Sequence, residues 1–359
     1  MIRLARPFFD ERELAAAAAV VRSGALVQGA EVARFEALCA ERCGRRHAIA
    51  VSSGTAALEV ALEVLGIGAG DEVLCPDLSW PSPAHAIARR GATPVLVDVD
   101  DAEWNATAGA FANARGPRTR AAIVIDQFGM PARLAEISRA LADLPIIEDS
   151  ACALGSRIGA IPCGSAGAIS CLSFHPRKIV TTGEGGMCLT DDDALAAELR
   201  ARRNHGQSAP GTFVAAGANL RLGEIAAAIG VAQMDKLDRI LETRRALALA
   251  YRSALPDAGW QREPDGAMPN YQTLGLVLPR GADASARDDT IAKLRARGVE
   301  AGLLSYALHT VGSLRGAIAG GPLEVAASIA DRGLALPLHP GMTAGDVDEV
   351  VAAVRAVIP

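Results

Sequence analysis

Ser173-Phe-His-Pro-Arg-Lys178-Ile-Val-Thr-Thr-Gly-Glu-Gly-Gly-Met187 carries a single lysine with a hydroxyl before it and a glycine cluster after it. Upstream, the apolar run Leu144-Pro-Ile-Ile-Glu-Asp149 reads as a strand that ends in two carboxylates. A lysine amine can form a Schiff base with an aldehyde cofactor such as pyridoxal phosphate, whose ring then accepts the electrons left when a substrate proton departs. The ring accepts best with its nitrogen protonated, and a buried carboxylate beside that nitrogen keeps the proton there. Asp149 is the candidate for that role, Lys178 for the imine and the Ser173 hydroxyl for a phosphate donor. Gly183, Gly185 and Gly186 are expected to supply backbone angles closed to other residues, so that the chain turns close past the cofactor.

Each piece alone has a plainer reading. An isolated lysine is most often solvated surface, and an aspartate at a strand end is most often a turn or helix cap. Gly183-Glu-Gly-Gly186 lacks the G-x-G-x-x-G spacing and opens no helix, which argues against a nicotinamide dinucleotide. It is the ordered combination that points to imine chemistry.

Residues 47–51 read as a short buried strand running into Ser52-Ser-Gly-Thr-Ala-Ala-Leu58. Leu58, Ala61, Leu62 and Leu65 then recur at helical spacing until Gly66. Such a strand-to-helix junction gathers free N–H groups and the positive end of a helix dipole, a place for a phosphate dianion, with Gly54 leaving room for it. An ordinary Ser/Thr cap is the other reading of the same residues. Apolar runs at 72–75, 94–98, 121–125 and 146–147 alternate with helical stretches at 83–90 and 132–142, which indicates βαβ units and a mostly parallel sheet buried on both faces. Active sites of such sheets lie beyond the carboxyl ends of the strands, and Gly54, Trp80 and Asp149 all fall there. The Trp80 ring either stacks on a cofactor face or packs as a partly buried side chain.

Towards the ends of the chain, Asp10-Glu-Arg-Glu13 resembles a capping arrangement ahead of a helix over 14–21, closed by Ser23-Gly24, and a second helix is expected over 30–43. Asp191 and Asp192 are read as the cap of a helix stopped by His205-Gly206. A long helical stretch, 222–254, is expected to contain the domain change, giving a large α/β domain over 1–240 and a smaller α+β domain over 241–359. A strand at 273–278 and helices at 286–297 and 346–357 suit that smaller domain.

Half of the 359 residues are apolar and the formal net charge is −5, with no long basic run to attract nucleic acid or an anionic membrane. Seven scattered cysteines without a C-x-x-C pair argue against a disulfide framework or a zinc site, so no metal is expected. The apolar runs fall short of the ~20 residues a membrane span needs. The amino terminus lacks a hydrophobic secretory core, and a cytoplasmic location is expected.

With these pieces together, the chain resembles the pyridoxal-phosphate-dependent DegT/DnrJ/EryC1/StrS aminotransferases, a sugar-aminotransferase group of fold type I. The resemblance rests on Ser52 to Leu58, Gly66-Ile-Gly-Ala-Gly-Asp-Glu-Val73, Gly91-Ala-Thr-Pro-Val95, Phe128-Gly-Met-Pro131, Glu148-Asp-Ser-Ala-Cys-Ala-Leu-Gly155, Ser173 to Met187, Asn204-His-Gly206 and Asn219-Leu-Arg-Leu222. It implies that Lys178 is the imine lysine and proton shuttle, with Asp149 at the ring nitrogen and Trp80 stacked on the ring. Gly54 and Thr55 would then offer N–H groups, and Ser173 its hydroxyl, to the phosphate. Asn219 matches an asparagine that reaches the phosphate of a neighbouring subunit, which implies a homodimer with shared sites.

The activity implied is transfer of an amino group from glutamate or glutamine to a keto sugar, nucleotide-linked. A keto cyclitol or other polar ketone, or a non-catalytic cofactor-binding regulator, are the alternatives. Lys178 stands where the dehydratase branch has histidine, which disfavours dehydration. Cys152 stands where many relatives carry glutamine or histidine contacting the ring hydroxyl, so it is the candidate contact there. Ala218 and Asp126 also depart from the common pattern, on the expected substrate side. Tyr306 and His309 match a Tyr-x-x-His segment and read either as substrate contacts or as a structural pair.

Overall fold

The computed structural model describes residues 1–358. Local signals fix the ends of the first helix, Glu11–Ser23. The Asp10 side chain accepts a helix N–H, Glu13 returns to the Asp10 N–H at 2.8 Å, and Gly24 leaves the helix with φ +72°. Ala30–Cys43 ends in the same way at Gly44. Among the described residues no helix is long and apolar enough to cross a membrane.

The central sheet has eight strands, in the order His47–Val51, Gly186–Thr190, Ile169–Ser173, Ile146–Asp149, Thr119–Ile125, Glu72–Pro76, Thr93–Val97 and Ile318–Ala319. Gly186–Thr190 runs antiparallel to both neighbours, and the remaining pairs are parallel. Two antiparallel steps cancel, so His47–Val51 points the same way as Ile169–Ser173. All strands but Gly186–Thr190 therefore end at one edge, where Gly186–Thr190 begins. Alternate residues of the strands enter opposite cores: Ile123, Ile147 and Ile169 pack with Leu58, Ile87 and Leu199, while Ala122, Val124 and Ile146 pack with Phe111, Ile137 and Ile329. The fold is α/β with a mostly parallel sheet, as expected.

Two helical readings need correction. Ala108–Ala114 is a helix, capped by the Thr107 hydroxyl, that its alanine-rich sequence did not announce. The stretch read as continuous over 222–254 is two helices, Glu224–Met234 and Leu237–Ala254. The break falls at Lys236, whose buried ammonium lies between Glu13 and Asp10 and donates to the Phe8 carbonyl at 2.9 Å. Those acceptors offset the cost of desolvating the cation.

Leu237–Ala254 changes neighbours along its length. Ile240 and Leu241 pack in a core under the large sheet, whereas Leu247, Ala248 and Tyr251 pack in a second core. That second core covers an antiparallel sheet of Gly259–Trp260, Leu274–Val277, Gly333–Leu336 and Gly302–Leu303, with the helices Ala284–Ala296 and Ala344–Val357. The chain then reaches back: Tyr306–Ala307 pairs with Leu78–Ser79, and Ile318–Ala319 extends the large sheet.

Candidate active site

Strand register aligns the residues that matter at the carboxyl edge. Val51 is opposite Gly186, Gly186 opposite Ser173, and Asp149 lies between Cys171 and Ile125. The helix Gly54–Val64 starts directly above, with Ser53 Oγ accepting the Ala56 N–H at 3.1 Å. Glycine is needed here for space. A Cβ on Gly186 would lie 2.2 Å from the Ser53 carbonyl oxygen, and one on Gly54 would lie 2.7 Å from the Ser173 Cβ. The two glycines thus let a helix N-terminus and a serine hydroxyl close on one small space, an arrangement suited to a phosphate. Thr55 Oγ1 lies 2.6 Å from Ser82 Oγ, which ties this turn to the loop carrying Trp80.

The reason expected for the glycine cluster therefore holds in part. Gly183 does take a left-handed conformation, with φ +83° and open space around it. Gly185 and Gly186 have no such φ and serve close approach: a Cβ on Gly185 would lie 2.5 Å from Thr182 Oγ1.

Lys178 follows Ser173 in a bend held by its own N–H to the His175 carbonyl at 2.8 Å. Its ammonium donates to Cys152 Sγ at 3.1 Å. Asp149 ends its strand 5% exposed and accepts the Ala151 N–H at 3.0 Å. Burial pushes its carboxyl up from the ordinary range, while that N–H and the Lys178 charge pull it back. The loop from Asp149 to Cys152 is clamped from the far end of the chain by Asn270, whose Nδ2 donates to the carbonyls of Cys152 at 2.9 Å and Leu154 at 3.0 Å. A Cβ on Gly129, at φ +89°, would overlap that amide, which accounts for the glycine in Phe128-Gly-Met-Pro131. Sequence reasoning did not identify Asn270; no local pattern marks it.

Asp126, expected towards the substrate, faces the interior. It is 2% exposed, and its carboxylate accepts the Ser150 hydroxyl at 2.6 Å and the Ala132 N–H at 2.8 Å. Desolvation, with the neighbouring Glu148 charge, pushes it well above the usual carboxylate range.

At the mouth, Trp80 is 64% exposed and its ring meets Tyr306 edge-on, with centroids 5.6 Å apart. His309 is held by Asp77, a residue the sequence did not single out: Asp77 accepts the His309 main-chain N–H at 2.8 Å and lies 2.6 Å from Nδ1. Asn219 and Ala218 are exposed on a loop whose backbone pairs Asn219 with Asn204. The structure thus brings Gly54 to Ser173 and Lys178 to Cys152, with the Lys178 charge acting on Asp149, and leaves Asn219 exposed without a side-chain hydrogen bond among the described residues.

A sheet of this order with one reversed strand is that of a pyridoxal-phosphate-dependent transferase of fold type I. The chain belongs to the DegT/DnrJ/EryC1/StrS aminotransferase family, whose sequence pattern matches residues 7–355. It is 35% identical over 338 residues to the GDP-perosamine synthase of Caulobacter vibrioides, covering 92% of this chain and 91% of that one. Among solved structures it superposes on the aminotransferase TlmJ from Streptoalloteichus hindustanus with a TM-score of 0.92 at 35% identity, over 99% and 98% of the two chains. A DegT DnrJ EryC1 StrS aminotransferase from Brucella abortus gives 0.91 at 31%, over 96% and 95%. The protein is an aminotransferase, and its cofactor is pyridoxal 5′-phosphate.

Proposed function

We propose that this enzyme transfers an amino group from glutamate or glutamine to the keto group of a nucleotide-linked sugar. The reading is supported by Lys178, whose ammonium meets Cys152 and whose charge acts on the buried Asp149, together with the close approach of Gly54 to Ser173. The cofactor, when bound, supplies an aldehyde that captures amines and a ring that accepts electrons. Lys178 would hold that aldehyde, and its amine is the base that would move the proton to and from the substrate carbon. Asp149 keeps the ring nitrogen cationic, since a pyridinium beside it offsets the desolvation it bears when alone. The N–H groups of Gly54 and Thr55 and the Ser173 hydroxyl would hold the phosphate, Cys152 would serve the ring hydroxyl and Trp80 the ring face. The relative named GDP-perosamine synthase supports a sugar nucleotide as acceptor.

A homodimer with shared sites belongs to the same proposal. Its support is Asn219, exposed without an intrachain side-chain partner among the described residues, on a loop beside the exposed apolar Phe213 and Val214. The division at residue 240 is supported by the change of core along Leu237–Ala254. A cytoplasmic location is supported by the seven free cysteines.

Absorbance tests the reading. The cofactor-loaded protein is expected to show the band of a lysine-bound aldehyde, lose it on adding glutamate or glutamine, and regain it with a nucleotide-linked keto sugar but not with a keto cyclitol. Lys178→Ala is expected to abolish the band. A hydroxylamine-sensitive band that persists in that variant contradicts the assignment of the lysine, and recovery only with the cyclitol contradicts the acceptor.

A further inference from the structure

The ammonium of Lys178 has a thiol for its neighbour. Its Nζ lies 3.1 Å from Cys152 Sγ, and Asn270 holds the Cys152 main-chain carbonyl at 2.9 Å. Cys152 differs from the other six cysteines, which are all buried, whereas it is part-exposed. Burial also pushes the thiols of Cys39, Cys75, Cys163 and Cys171 well up, and that of Cys43 up to about 12, which leaves them little thiolate and little reactivity. One accessible sulfur therefore sits within reach of the one amine on which cofactor capture depends.

We propose that Cys152 and Lys178 form a reversible covalent sulfur–nitrogen link under oxidation, a modification site that closes the enzyme to its cofactor. The oxidant is a hydroperoxide. It transfers one oxygen to the Cys152 thiol, giving a sulfenic acid, and is itself reduced to water or an alcohol. The unprotonated Lys178 amine attacks that sulfur; the S–N bond forms, the S–O bond breaks, and hydroxide leaves with the amine proton as water. Two equivalents of an external thiol reverse the step, returning thiol and amine and leaving with a disulfide between them. While linked, the Lys178 nitrogen carries a single hydrogen and is no longer a primary amine, so it cannot form an imine with an aldehyde. The inference rests on the reading of Lys178 as the cofactor lysine, and from that reading it follows that bound cofactor protects the pair by engaging the amine.

The test is peptide mass mapping of the cofactor-free protein after hydrogen peroxide. The expected result is one linked pair of peptides, containing residues 152 and 178, lighter by two hydrogens than the unlinked pair and separated again by dithiothreitol. Cys152→Ser is expected to lose the link. Lys178→Ala is expected to leave a sulfenic acid on Cys152 that dimedone traps, a readout independent of enzyme activity. If the wild-type protein instead accumulates dimedone-trapped or further oxidised Cys152 with residue 178 unmodified, the proposal is overturned. Linking at equal rates with and without cofactor, together with an intact cofactor band, would leave the link standing and overturn the assignment of Lys178 as the residue that holds the cofactor.

Discussion

Asp77 and His309, 232 residues apart, are joined twice: the carboxylate takes the His309 main-chain N–H at 2.8 Å and lies 2.6 Å from ring Nδ1. Asp77 is completely buried, and desolvation raises its carboxyl while the histidine lowers it, so the carboxylate depends on the part-exposed His309 for its side-chain hydrogen bonds. Removing the carboxylate leaves a donor without an acceptor, which costs about 1–3 kcal/mol in the interior. Asp77→Ala is expected to lower the stability to urea by about that amount, and the double variant with His309→Ala by less than the sum of the two single changes. Additive losses would show that the two residues do not interact.

Asp149 is expected to trade stability for cofactor binding. Its folded-state pKa is raised, so its contribution to stability is present in full below the ordinary carboxylate range and lost as pH rises through the raised value. At neutral pH the cofactor-free enzyme therefore bears the cost of a buried charge. Cofactor-free Asp149→Asn should melt higher than wild type at pH 7, with the gap narrowing as the pH falls into the range where both side chains are neutral. The same variant should bind pyridoxal phosphate more weakly. A lower melting temperature for the variant at neutral pH would contradict the burial argument.

Two glycines of one cluster are expected to respond differently to alanine. At Gly186 the added methyl lies 2.2 Å from the Ser53 carbonyl oxygen, so the start of the Gly54–Val64 helix must move. Overpacking of this kind costs about 1–3 kcal/mol, and the shift falls on the phosphate cradle. At Gly183 there is open space, and only the left-handed backbone objects, at about 1–2 kcal/mol. Gly186→Ala should weaken cofactor binding in an absorbance titration, while Gly183→Ala should change stability with little effect on affinity. Equal loss of affinity in both would argue against the cradle.

Asn270 lies 118 residues along the chain from the Cys152 carbonyl that it holds. It is fully buried, and its amide donates to Cys152 and Leu154 while its carbonyl accepts the Gln272 N–H at 2.8 Å. Asn270→Ala should destabilise the protein by about 1–3 kcal/mol, since buried carbonyls lose their donors. It should also shift the absorbance maximum of the lysine-bound cofactor by loosening Cys152. A stability loss without a spectral change would confine its role to the fold.

Much of this architecture was legible locally. The caps at Asp10 and Gly44, the strand-helix alternation and the positions of Lys178, Asp149 and Ser173 could be read because each depends on spacing within one turn or one strand. The helix Ala108–Ala114 was missed because alanine offers no apolar stripe, and the break at Lys236 because the partners of its ammonium, Glu13 and Phe8, lie far away in the chain.

The residue types at positions 149, 173 and 178, with the motifs in order around them, pointed to a class of chemistry before any coordinates. Only the folded chain decided that a thiol touches the lysine, that Asp126 looks inward, that Gly186 is needed for space, and that Asp77 and Asn270 hold pieces of the site at all. Periodicity and capping are written in neighbouring residues, whereas contacts between distant segments depend on strand register and on which loops meet at the sheet edge. Pattern along a chain holds no record of those meetings.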